Sequence, residues 1–138
     1  MRISIIIAYF LLLLALSGCK NIVLEVSDNR AFINADGDIF IDVKINIDSL
    51  VKLNESGEAL YLNVFECDSG QNGGYSFPLV SREPVELVAG SAWMRFAINH
   101  PSNLKEDGAC GYLSSEGYSL DSFSSDVFTM HLKAELAQ

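Results

Sequence analysis

The chain has 138 residues, of which 49% are hydrophobic, the composition of a globular protein and not of a disordered one. Nine Lys and Arg residues stand against 18 Asp and Glu residues, which gives a formal net charge of −9. No cluster of cations is present that could displace counterions from phosphates, so the sequence argues against a nucleic-acid partner. A basic protein partner is compatible with this charge, although an acidic surface often serves solubility alone.

The first 18 residues have the pattern of a secretion signal. Arg2 and the amino terminus supply positive charge, and residues 3–16 are apolar except for Ser4. This run of 14 residues fits the apolar region of a signal peptide and is shorter than the roughly 20 residues that a membrane-spanning helix needs. We therefore expect residues 1–18 to be removed, which leaves a single domain over residues 19–138.

The end of this segment, Leu16-Ser17-Gly18-Cys19, resembles the lipobox of bacterial lipoproteins. The resemblance implies that Cys19 is the lipid attachment residue and becomes the first residue of the mature chain. The alternative is an ordinary cleaved signal in which Cys19 is incidental. In lipoproteins an aspartate after the cysteine favours the inner membrane; because Lys20 stands there, the resemblance implies the outer membrane where the host has one, on its periplasmic or surface side.

The distance between anchor and fold is predicted to be short. No long Gly/Ser tether separates Cys19 from the strand-like segment 22–26. Without Arg2 the mature chain carries a net charge of −10, which argues against a surface that lies flat on anionic lipid. We expect the acyl chains on Cys19 to provide the membrane link.

The two remaining cysteines form an even pair in an exported chain. Oxidising compartments favour a disulfide between Cys67 and Cys110. The alternative is two buried free thiols. Neither cysteine has the CxxC spacing typical of zinc or redox sites.

The clearest structural pattern is a ten-residue alternation over residues 39–48. Isoleucine or valine occupies every second position there, which predicts a half-buried strand. Asp36-Gly37 just before it predicts a type I′ hairpin turn, in which both residues have positive φ. Asn34, Asp36, Asp38 and Asp42 also suggest calcium ligands, but the spacing does not fit an EF-hand, and turn chemistry explains them better.

The rest of the chain predicts short strands separated by polar connections. Connections are expected at residues 51–58, 68–74, 101–109 and 114–126, and strands at residues 59–67, 75–80, 84–89, 91–99, 110–113 and 127–136. The sequence therefore predicts an all-β fold, an antiparallel β-sandwich of immunoglobulin-like or transthyretin-like topology.

Residues that carry catalysis are sparse. His100 and His131 are the two histidines, and no G-x-S-x-G nucleophile motif occurs. Two histidines 31 positions apart also make a poor transition-metal site. We expect no enzymatic activity, no cofactor and no metal.

Aromatic residues suggest protein binding. Trp and Arg anchor many protein interfaces, and Trp93 and Arg95 share one face of a predicted strand. The alternative for Trp93 is a place in the second side of a sandwich core, which we favour. Four further aromatics lie in or beside predicted loops and complete the set of candidate partner-binding residues: Tyr75, Tyr112, Tyr118 and Phe123.

These features favour a lipid-anchored envelope protein that acts by binding another protein. The most concrete form is an inhibitor or immunity-type lipoprotein that blocks a toxin or hydrolase. One alternative is an accessory lipoprotein that docks a secretion or pilus assembly to the membrane. A third is an envelope hydrolase.

The lipobox generates a direct test. Changing Cys19 to Ala should move the protein from the membrane to the soluble fraction, because the acyl chains would have no attachment site. Fractionation of cells followed by immunoblotting measures this. Continued membrane fractionation of Cys19→Ala would contradict lipidation at this residue.

Overall fold

A computed structural model describes residues 2–16, 20–71, 73–98, 108–118, 120–132 and 135–136. Its first element is a helix, α1, over Arg2–Leu16. Among the described residues, no helix has both the length and the apolarity that crossing a membrane requires. Of the lipobox, Ser17, Gly18 and the predicted lipid attachment residue Cys19 lie outside the described residues.

The domain that follows is mostly β. The strands are β1 Asn21–Val23, β2 Val26–Ile33, β3 Ile39–Asn46, β4 Ala59–Glu66, β5 Tyr75–Pro78, β6 Glu86–Val88, β7 Ser91–Ile98, β8 Ala109–Glu116, β9 Ser122–Ser124, β10 Phe128–Thr129 and β11 Glu135–Leu136. Sheet A has the order β1-β9-β8-β4-β5, with β10 also paired to β8, and sheet B has the order β11-β2-β3-β7-β6. The pairs β1–β9 and β11–β2 are parallel, and the other pairs are antiparallel.

The two sheets share one hydrophobic core, which gives a sandwich-like arrangement. Sheet B contributes Ile41 and Met94, and sheet A contributes Leu62 and Leu113, all fully buried in the same cluster. Apolar residues at every second position of β3, β4 and β7 place one face of each sheet on this core. The prediction of an all-β fold built from two mainly antiparallel sheets agrees with this architecture.

The predicted strand over residues 39–48 is confirmed for β3 but ends earlier than expected. A helix, α2, spans Ile47–Ser56, so the prediction of a polar connection over residues 51–58 was wrong. Leu50 and Leu53 lie three positions apart and are both buried, which is the spacing of one helical face. Gly57, with φ 71°, ends the helix in the left-handed conformation that glycine adopts without strain.

The turn between β2 and β3 is also different from the prediction. Gly37 has a positive φ of 85°, whereas Asp36 does not, so the turn is not type I′. The connection spans residues 34–38, and the Asn34 Oδ1 accepts hydrogen bonds from the main-chain N–H groups of Asp36 (3.0 Å) and Asp38 (2.9 Å). A side chain that mimics a backbone turn therefore accounts for the polar residues of this loop.

The last third of the chain contains more β-strand than we predicted from its serine-rich composition. Residues 114–116 extend β8, and β9 lies within the predicted connection over residues 114–126. Serine hydroxyls hold this region together: Ser125 Oγ accepts from the N–H of Leu113 (2.7 Å) and Ser115 Oγ from that of Phe123 (2.8 Å). The single strand predicted over residues 127–136 was wrong, because pairing there is divided between β10 and β11.

Cys67 and Cys110 form a disulfide, with their Cα atoms 5.1 Å apart. Cys67 begins a short 3₁₀ helix, Cys67–Ser69, directly after β4, and Cys110 lies in β8, the neighbour of β4. The Cys67 N–H also donates to the main-chain oxygen of Gly108 at 2.9 Å. The bridge thus braces one end of the central strand pair of sheet A.

Removing the disulfide should destabilise the domain. The bridged cysteines are 43 positions apart, and losing such a bridge costs roughly 2–5 kcal/mol, which lowers the melting temperature by about 10 °C in a domain of this size. Thermal unfolding of Cys67→Ser, Cys110→Ser and the double variant measures this, and the three losses should be similar. Single variants that melt with the wild-type protein would contradict a stabilising bridge.

Candidate functional site

The outer face of sheet B, which points away from the core, carries an ordered group of charged and aromatic side chains. Strand pairing places Arg30, Asp42 and Arg95 in one row across β2, β3 and β7. Rows on either side complete what we name the arginine–aromatic cluster, which consists of Arg30, Phe32, Phe40, Asp42, Lys44, Glu86, Trp93 and Arg95. Directly opposed residues of neighbouring strands share a face, so the register alone assembles the cluster.

Asp42 lies at the centre of the cluster and its side chain is 0% exposed. Its Oδ1 accepts from Nε of Arg95 at 2.9 Å, and its Oδ2 accepts from Nη2 of Arg95 at 3.2 Å and from Nε of Arg30 at 3.4 Å. The Arg95 contact is bidentate, the strongest geometry between a guanidinium and a carboxylate. Two arginines therefore compensate the burial of one negative charge.

The two arginine side chains cross the central strand β3 in opposite directions. Arg30 extends from β2 until its guanidinium carbon is 4.1 Å from the centre of the Trp93 ring on β7. Arg95 extends from β7 until its guanidinium carbon is 4.1 Å from the centre of the Phe32 ring on β2. Each guanidinium thus has an aromatic ring on one side and the Asp42 carboxylate at its edge, an arrangement that cation–π attraction stabilises.

Further contacts extend the cluster over four strands. Arg30 Nη2 donates to the Glu86 carboxylate on β6 at 3.1 Å. The Lys44 ammonium lies 5.8 Å from the centre of the Trp93 ring. The rings of Phe32 and Phe40 are 6.2 Å apart. Within the described part of the chain, no buried side-chain nitrogen or oxygen lacks a hydrogen-bond partner.

The cluster remains accessible to a partner even though it is ordered. The side chains of Arg30 and Arg95 are 45% and 30% exposed. Their conformations are fixed by the rings and by Asp42, so binding through them would cost less side-chain entropy than binding through free arginines. Arg30 and Arg95 can therefore each present guanidinium N–H groups, and the guanidinium face opposite the aromatic ring, to another protein.

Two of the predicted partner-binding residues, Trp93 and Arg95, belong to this cluster. Trp93 is only 6% exposed, but it does not fill the core as we favoured from the sequence. It projects from the outer face of sheet B, where the Arg30 guanidinium stacks on its ring. Its burial thus comes from side chains of its own face.

The other four predicted residues do not join them. Tyr75 pairs with Val64, and Tyr112 pairs with Asn63 of the same strand, so the two tyrosines project from opposite faces of sheet A. Tyr118 is fully exposed in the connection between β8 and β9. Phe123 was expected in or beside a loop; it lies in β9 and is 2% exposed, which corrects it to a core residue.

Sequence reasoning missed Arg30 and the pair Phe32 and Phe40. It explained Asp42 by turn chemistry, which was wrong, because Asp42 lies within β3 and binds two arginines. A signal was present, since Phe40 and Asp42 are polar-face positions of the alternating strand, but their partners depend on register between distant segments. His131 is exposed beside β10, and His100 lies outside the described residues. Among the described residues, no group of three or more His, Cys, Asp or Glu side chains is arranged to hold a metal.

Two small pockets lie elsewhere on the domain, with volumes of about 230 Å³ and 200 Å³. The first is lined by Leu53, Tyr61 and Glu58, whose main-chain oxygen accepts a hydrogen bond from Arg82 at 2.6 Å. Both volumes are below the roughly 300–1,000 Å³ of typical small-molecule sites.

Comparison with known proteins gives no relative: no protein-family model, no curated protein and no solved structure matches this chain.

The central role of Asp42 can be tested by changing it to Asn. This substitution keeps the shape but removes the charge that both arginines contact, and we expect a loss of roughly 2–4 kcal/mol of stability. Chemical denaturation measures this loss. Asp36→Asn, in the exposed turn between β2 and β3, is the matched control and should change stability by less than about 0.5 kcal/mol. Equal effects of the two substitutions would contradict the central role of Asp42.

Proposed function

We propose that the mature domain is a lipid-anchored protein-binding module of the bacterial envelope, and that it binds its partner through the arginine–aromatic cluster. The observation that carries the proposal is the crossed pair of Arg30 and Arg95 about Asp42. We further propose that the module is an inhibitor or immunity-type lipoprotein that blocks a soluble toxin or hydrolase.

The chemistry of the cluster supports binding to a protein. Arg is enriched among the residues whose removal costs most binding energy, and an arginine that is already ordered loses less entropy on binding. Arg30 and Arg95 are the exposed members of the cluster, and Trp93, only 6% exposed, supports Arg30 from beneath. Here the Trp93 ring, the Phe32 ring and both guanidinium groups are held in place before any partner arrives. An outer sheet face with partly exposed arginines suits contact with a protein surface.

The net charge of the mature chain bears on the charge of the partner. The mature chain carries net charge −10, and the outer face of sheet B holds three of its eight Lys and Arg residues. Arg30, Lys44 and Arg95 lie there beside the carboxylates of Asp28, Asp42 and Glu86. The acidic surroundings favour approach by a basic protein. The cluster then offers N–H donors to carboxylate and carbonyl oxygens of the docked surface.

The proposed anchor places this face in the envelope. Support comes from the lipobox sequence and from α1, whose 15 residues match a signal peptide. For the fold we propose an immunoglobulin-like or transthyretin-like sandwich, supported by the two mainly antiparallel sheets around one core.

A crosslinked pull-down with matched charge reversals tests the proposal. Tagged wild-type, Lys44→Glu and Lys52→Glu proteins are expressed in the native cells, crosslinked, recovered and analysed by mass spectrometry. Lys44 lies in the cluster, whereas Lys52 is exposed on α2 and serves as the control. We expect one soluble toxin or hydrolase with the wild type and Lys52→Glu, recovered roughly tenfold less with Lys44→Glu, as a loss of about 1.4 kcal/mol would give.

The purified partner should then lose activity when the wild-type domain is added. Recovery of membrane-complex subunits in place of a soluble protein would contradict the inhibitor role and favour docking. Equal recovery with all three proteins would contradict binding through the cluster.

A further inference from the structure

The structure joins the chain directly after the proposed anchor to one edge of sheet A. Lys20 follows Cys19, and its main-chain oxygen accepts a hydrogen bond from the N–H of Ser122 at 2.8 Å. β1 begins at Asn21, which pairs with Ser122 of β9. Cys19, the proposed lipid attachment residue, directly precedes Lys20 in the sequence.

The direction of this pairing determines which residues lie near Lys20. β1 and β9 are parallel, so the residues that precede β9 lie at the same end of the sheet as the residues that precede β1. Neighbouring strands are about 5 Å apart. The connection from β8 to β9 therefore reaches sheet A beside Lys20, the residue that follows the proposed anchor.

That connection carries two exposed apolar side chains. Tyr118 is fully exposed and Leu120 is 69% exposed. Exposing the apolar surface of a tyrosine and a leucine to water is unfavourable. Both side chains are compatible with the boundary between lipid headgroups and acyl chains, where aromatic residues concentrate. Lys20, also exposed, is the residue next to Cys19 and can contact anionic headgroups.

We propose that Tyr118 and Leu120 insert into the bilayer surface next to the acyl chains of Cys19, forming a second contact that orients the domain. This inference rests on the lipid anchor in the proposed function. Because the chain is acidic, the contact is apolar insertion and not electrostatic adsorption. The arginine–aromatic cluster lies on the outer face of the other sheet, so membrane contact and partner binding involve different surfaces.

Quenching by brominated lipids tests the insertion. The full lipoprotein, purified with its acyl chains, is reconstituted into phosphatidylethanolamine–phosphatidylglycerol vesicles that contain lipids brominated near the headgroup end of the acyl chain. A tryptophan is introduced by Tyr118→Trp. The control is Leu87→Trp on the edge strand β6, where Leu87 is 67% exposed, nearly the same as Leu120. Trp93 is present in every protein and provides the common background.

We expect the fluorescence of the added tryptophan in Tyr118→Trp to fall at least twofold in brominated vesicles, with no fall for Leu87→Trp or the wild type. Flotation of the vesicles and the mass of the acylated chain are measured on the same samples. A protein that is acylated and floats but shows no quenching at position 118 overturns the insertion and leaves the anchor intact. A protein without acyl mass that does not float overturns both.

Discussion

The outer face of sheet B is organised around the interaction of one buried carboxylate with two arginines. Asp42 sits in the middle of the central strand, fully buried on a face that points away from the core. A charge without water around it requires compensation, and Arg30 and Arg95 provide it from the strands on either side. The two arginine side chains extend across the sheet and cover the rings of Trp93 and Phe32. The side chains of this outer face are therefore held in defined positions.

The chain entry, the disulfide and the arginine–aromatic cluster lie in different parts of the domain. The chain enters from Lys20 at the edge of sheet A formed by β1 and β9. The disulfide lies at the far end of β8, about 20 Å from Glu116, where the connection to β9 begins. The arginine–aromatic cluster occupies the outer face of the other sheet. In the proposed function, anchoring, bracing and binding thus act through different surfaces of one small sandwich.

Local patterns in the sequence predicted the features that depend on local physics. Period-two alternation identified β3 and β7 because one face of each lies on the core, and the even cysteine pair indicated the disulfide. α2 was missed because its ten residues bury only Leu50 and Leu53 of its apolar side chains, too few to interrupt the alternation that precedes them. β9 was missed because serine-rich composition is typical of loops, whereas here Ser115 of β8 and Ser125, which follows β9, accept hydrogen bonds from the backbone.

The candidate site shows more clearly that local sequence patterns do not predict contacts between distant segments. Trp93 and Arg95 were identified because they are neighbours on one strand. Arg30 and Asp42 were not, because they are joined to Arg95 by register between segments separated by 12 and 53 positions. Residue type alone identified Trp93 as a candidate. Only the strand pairing shows that Arg30 covers its ring and that Arg95 covers the ring of Phe32.

The measurement that tests the central claim most directly is the side-chain motion of the arginines in solution. In ¹⁵N-labelled mature domain, the Nε–H groups of Arg30 and Arg95 should give resolved signals with heteronuclear NOE values close to those of the rigid backbone, because Asp42 and the rings hold them. Values typical of freely moving side chains would contradict the ordered cluster on which the proposed binding face depends.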